Sequence, residues 1–112
     1  AHNNLAWLYL EQDNITKALE HAEKAFELAP QIANIVDTYG KVLLGSGDKR
    51  AALKYASKAS EIAKGKDIDI QLNYVEALIA NNRMNEAKDL LSKATTSTDE
   101  QKKKKSELQA QL

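Results

Sequence analysis

Few side chains in this sequence are spaced to do chemistry. His2 and His21 are the natural metal ligands, but they lie far apart, and no Asp/Glu-x-x-His or His-x-x-x-His spacing builds a site around either. Cysteine is absent, which rules out a disulfide framework and a thiolate metal site together. Gly40, Gly45 and Gly47 superficially resemble a phosphate loop, yet the Lys-Ser/Thr that must follow is missing, so turn and packing roles are expected. No serine stands in the Gly-x-Ser-x-Gly context of a nucleophile elbow. The carboxylates read as parts of exposed helix faces, as with Glu20 and Lys24 at i, i+4. The expectation is a protein that is not an enzyme and that carries neither a metal site nor a cofactor.

Composition then sets the class. Sixteen basic and sixteen acidic residues cancel among 112, leaving no overall field to attract nucleic acid or an anionic membrane. One proline and four glycines interrupt a chain rich in Ala, Leu, Lys, Glu and Gln, which favours an all-α fold. Apolar runs such as Val42-Leu43-Leu44 and Ala77-Leu78-Ile79-Ala80 are far too short to span a bilayer. The chain opens at Ala1 within a helical pattern and shows no leader, so we expect a fragment of a longer repeat protein and read no compartment from this end.

The helices that would position any site come as a repeat. Ala18, Ala52 and Ala87 are central alanines 34 (52 − 18) and 35 (87 − 52) positions apart, and Lys24-Ala25, Lys58-Ala59 and Lys93-Ala94 end seven residues later. Bulky residues keep the same frame upstream: Leu5, Tyr39 and Tyr74, then Tyr9, Leu43 and Leu78. Between them fall the turns Gln12-Asp13-Asn14, Ser46-Gly47-Asp48 and Asn81-Asn82-Arg83. The apolar spacing within units predicts helices near 1–12, 15–28, 33–45, 49–63, 68–81, 84–95 and 99–111. Asn14 and Asp48 suit N-caps, and Pro30 and Gly65 fall where second helices stop. The extra residue in the second spacing is expected within Lys64-Gly65-Lys66. The alanines should let paired helices approach closely, with the bulky residues filling the space between layers.

After Ala94 a polar connector leads to Thr98 and Gln101, a capping-box pair. The last helix is mostly polar, and its lysines 102–105 point in several directions without interleaved aromatics, so it reads as a solvated cap, not a nucleic-acid contact.

The pattern resembles the tetratricopeptide repeat over roughly residues 1–95. Ala6, Gly40 and Val75 occupy its small-residue place, the two alanine sets occupy its alanine places, and Pro30 its proline place. Departures are His2 and Gln71 in place of an aromatic, Lys88 in place of leucine, and Lys64 and Asp99 in place of proline. The resemblance implies a right-handed α-solenoid of three helix-turn-helix hairpins, about 1–32, 33–66 and 67–98, with a capping helix over 99–112. It also implies a concave groove for a protein or peptide partner, lined by the first helix of each unit. Carried over residue by residue, that groove takes Asn3, Asn4, Trp7 and Leu10, then Asn34, Asp37, Thr38, Lys41 and Leu44, then Asp69, Leu72, Asn73, Glu76 and Ile79. Asn4, Thr38 and Asn73 form a row whose amides can hold a peptide backbone, or can hydrogen-bond neighbouring helices. Trp7 is either a partner anchor or a residue covered by an upstream repeat. With Asn3, Asp37 and Leu72 at the lysine place of a carboxylate clamp, such a clamp is not expected. The alternative to peptide binding is self-association through the solenoid ends, or a role as the structural end-cap module of a larger cell-envelope or exopolysaccharide-export scaffold.

The run Asn3-Asn4-Leu5-Ala6-Trp7-Leu8, the run Val36-Asp37-Thr38-Tyr39-Gly40 and the final short helix are similar to the C-terminal repeats of bacterial PEP-CTERM-system tetratricopeptide lipoproteins. That resemblance implies a periplasmic or cell-envelope scaffold linked to exopolysaccharide export. Without it a cytoplasmic setting is expected.

Overall fold

The computed structural model describes residues 2–112, His2 by its backbone alone, so the His2 side chain at the aromatic place of the first unit lies outside the described side chains. Seven helices and no strand form among these residues: α1 (His2–Glu11), α2 (Ile15–Leu28), α3 (Ala33–Gly45), α4 (Lys49–Ile62), α5 (Ile68–Ala80), α6 (Met84–Ser92) and α7 (Asp99–Ala110). The first six pair as hairpins α1/α2, α3/α4 and α5/α6, and α1, α3, α5 and α7 stand side by side. This is an all-α solenoid.

The hairpin turns share one chemistry. Asp13, Gly47 and Asn82, the central residue of each turn, take φ of 60°, 93° and 60°. Glycine has no Cβ to clash there, and short polar side chains tolerate the left-handed region better than most. The following amides close the same long bond each time: Asn14 to the Tyr9 carbonyl at 2.8 Å, Asp48 to Leu43 at 3.0 Å and Arg83 to Leu78 at 2.9 Å. These carbonyls would otherwise be orphaned at the helix ends. Asn14 and Asp48 then accept from the amides of Lys17 and Ala51 and start the next helix, whereas Arg83 gives no side-chain cap. The connection between hairpins spans 29–32 in the first case and 63–67 in the second. The extra residue is absorbed where Lys64 and Gly65 have φ of 57° and 69°.

Small residues set the packing distance. Ala18, Ala52 and Ala87 are fully buried at the hairpin seams. At Gly40 a Cβ would lie 3.2 Å from the Ala56 nitrogen and 3.3 Å from the Ala52 oxygen, so α3 and α4 meet backbone to backbone. Phe26, Tyr39 and Tyr55 join α2, α3 and α4 with ring centroids 4.8–5.2 Å apart. Ala59 packs with Val36 and Ile70, the joint between the second and third hairpins.

Three expectations are corrected. Leu5 was expected between layers but is 37% exposed, because the outer side of α1 meets no other helix among the described residues. Helix α6 stops at Ser92 instead of 95. The amides of Lys93 and Ala94 tighten onto Leu90 and Leu91, and the hydroxyl-rich residues that follow favour caps over helix. The lysines of α7 are not uniformly solvated: Lys104 and Lys105 are half-buried, and Lys105 Nζ donates to the Ala94 carbonyl at 2.7 Å. Leu108, 2% exposed among Leu72, Val75 and Leu91, fixes the buried face of α7, and Lys104 lies one turn before it on that face.

Candidate functional site

Because α1, α3, α5 and α7 stand side by side, their shared face forms a groove of about 880 Å³. Of the residues expected there, Asn3, Asn4 and Trp7 line it from α1, Asn34, Asp37, Thr38 and Lys41 from α3, and Asp69, Leu72 and Asn73 from α5. Glu76 lies just outside, in a smaller depression against α7, and pairs with Lys41 at 3.5 Å. Leu10 and Ile79 pack against the core, and Leu44 is not part of the lining.

Helix α7, expected as a solvated cap, supplies a further wall of the groove through Thr98, Glu100, Gln101 and Lys104. One signal for it exists in the sequence. Leu108 and Leu112 fall 34 residues after Tyr74 (108 − 74) and Leu78 (112 − 78), continuing the bulky frame into α7. Thr98 caps the helix in a reciprocal box with Gln101, whose Nε2 also donates to Asp69 at 3.2 Å. That bond ties the start of α7 to the start of α5.

A polar network occupies the middle of the groove floor. Asn73 Nδ2 donates to both Asp37 oxygens, at 3.2 and 3.1 Å, and Asn73 Oδ1 accepts from Lys41 at 3.2 Å and from Lys104. Burial pushes the Asp37 carboxyl up to about 6, against the opposing pull of Asn73, Lys41 and Lys104. Burial likewise lowers the Lys104 ammonium to about 8, with Lys41 repelling it and Glu76 and Asp37 attracting it. The Thr38 hydroxyl donates to the Asn34 carbonyl at 2.9 Å. Of the row expected either to hold a peptide backbone or to hydrogen-bond neighbouring helices, Thr38 and Asn73 are engaged within the protein.

The groove edge is different. Trp7 is 41% exposed, and Lys41 Nζ sits 5.7 Å from its ring centroid. Asn3 Oδ1 is buried without a hydrogen-bond partner among the described residues. His21, on α2, stacks on Tyr9 with centroids 5.5 Å apart and takes no part in the groove. No cluster of histidine, aspartate and glutamate among the described residues could hold a metal ion. No helix among the described residues is long and apolar enough to cross a membrane.

Residues 43–112 match a family model of the tetratricopeptide repeat, and residues 1–32 match a second. The chain belongs to the tetratricopeptide repeat family. No curated protein matches it. Tetratricopeptide repeats generally mediate protein–protein interaction and are generally non-catalytic. The match over residues 43–112 runs through α7, the helix that completes this tetratricopeptide groove.

Proposed function

We propose that the chain is a non-catalytic scaffold that receives an extended protein segment in the groove between α1 and α7. The observation that carries this reading is the half-open Trp7 ring on a groove edge that also offers Asn4 and Asn34. A large rigid aromatic beside uncommitted polar groups is the usual composition of a peptide anchor. The run containing Trp7 carries the PEP-CTERM-system resemblance, which would place that partner at a bacterial cell envelope. A display library of random peptides selected on the whole chain tests the groove. Selected peptides should bind the Trp7→Ala variant about tenfold or more weakly, and should shift Trp7 fluorescence to the blue. Peptides that bind Trp7→Ala and Asn4→Ala unchanged would move the site off the groove.

A second reading, self-association, is favoured by one observation: Leu5, Leu8, Leu28 and Ile32 expose 37–77% of their surface around the first hairpin. Sedimentation over a wide concentration range tests it, and a constant monomer mass would remove it.

A further inference from the structure

The whole chain is neutral, but the groove is not. Glu11, Asp37, Asp69 and Glu100 line it against Lys41 and Lys104, an excess of two negative charges (4 − 2). None of the four carboxylates stands in an ion pair among the described residues. Both lysines, in contrast, are engaged: Lys41 by Glu76 and Asn73, Lys104 by Asn73.

Helix ends explain only part of this acidity. Asp69 and Glu100 sit in the first turns of α5 and α7, where the helix dipole favours a negative charge. Asp37 lies beyond the first turn of α3, and Glu11 closes α1, where the dipole opposes it. Asp37 is also undercompensated by its surroundings, since its carboxyl rises to about 6 beside two lysines and an amide. A further cation would relieve that cost. The Trp7 ring already accepts one ammonium, from Lys41.

We infer that the segment received by the groove is basic, with an arginine or lysine side chain among Asp37, Asp69 and Glu100 and its stem against Trp7. This rests on the groove reading above. Arginine suits the place best, because a planar guanidinium can stack on indole while pairing with carboxylates. An acidic segment would meet four carboxylates and only two ammonium groups, both already bonded within the protein.

The test uses the whole chain and three fluorescein-labelled decapeptide pools, random except for two central positions fixed as Arg, Glu or Gln. At low salt the Arg pool should bind about tenfold or more tightly than the Glu pool, with the gap narrowing as salt rises. Both Asp69 and Glu100 are exposed, so an Asp69→Asn/Glu100→Gln variant keeps the fold and should erase the Arg preference. Gln or Glu pools that match the Arg pool, yet weaken on Trp7→Ala, would overturn the charge assignment and leave the groove standing. An Arg preference untouched by the acidic variant would also overturn it. Failure of every pool to bind would remove both the assignment and the groove reading.

Discussion

Asn73 and Asp37 are joined by a two-pronged contact across the α3–α5 seam, the amide nitrogen donating to the carboxylate oxygens at 3.2 and 3.1 Å. The amide oxygen meanwhile accepts from Lys41 and Lys104, so both donors and the acceptor of one neutral side chain are used. An Asn at this place therefore separates a half-buried anion from two cations while bonding to all three.

Replacing Asn73 with alanine should expose how much rests on that arrangement. Asp37 would keep its burial and lose both donors, leaving a partly desolvated carboxylate with only through-space help. We expect a loss of about 1–3 kcal/mol in urea unfolding at neutral pH, together with a further rise in the Asp37 pKa by NMR titration. An unchanged pKa would show that the amide does not hold the carboxylate.

The same cluster sets a pH profile. The folded pKa of Asp37, about 6, lies above its ordinary 3.8, so the fold binds the proton more tightly than the unfolded chain does. Its contribution to stability is full below 3.8 and is lost as pH rises through about 6, on the order of 2–3 kcal/mol. Lys104 is lowered from 10.5 to about 8, so the cost of its buried charge is present below 8 and disappears as pH climbs towards 10.5. Together they place a stability minimum between about 6 and 8. Urea midpoints measured from about pH 4 to about pH 10 should show it, and Asp37→Asn should flatten the acid side alone. A minimum that survives in Asp37→Asn would assign it to other groups.

Much of this molecule was legible because its determinants are local. The Asn14, Asp48 and Thr98 caps each act within three residues of themselves, and the alanines at 18, 52 and 87 announce a tight seam by size alone. The groove floor was not legible for the opposite reason. Lys104 reads as one of four equivalent lysines until Leu108 docks and turns its face inward. Asn73 reads as a free amide until Asp37, 36 residues away, takes its donors. Local pattern cannot show which of several polar residues a distant helix will meet.

Lys64 offers a stabilising change. It holds φ of 57° at the end of α4, and its amide and the next bond back to Glu61 and Ser60 at 3.1 and 3.0 Å. A side chain with a Cβ pays a steric penalty there that glycine does not. Lys64→Gly should raise stability by about 0.5–1 kcal/mol after the greater freedom of the unfolded chain is counted. Asp13→Gly should gain less, because aspartate tolerates the same φ of 60° better. Thermal unfolding of the two variants compares them directly, and a loss for Lys64→Gly would mean the lysine stem packs usefully on its hairpin.

Leu108 decides whether α7 completes the groove. It is the one residue of α7 buried outright, and the helix is otherwise tied by Gln101 to Asp69, Lys104 to Asn73 and Lys105 to the Ala94 carbonyl. Polar ties of that exposure hold a helix in place weakly once its apolar anchor is gone. Leu108→Ala should cost about 2–4 kcal/mol, and amide exchange should accelerate in α7 well before α1 to α4. Peptide binding should weaken in parallel, because Gln101 and Lys104 leave the wall with it. Lys102→Ala, on the exposed face of α7, serves as the control and should change neither. Exchange that rises equally in all helices would show that α7 unfolds only with the whole solenoid, and the wall would then be as permanent as the floor.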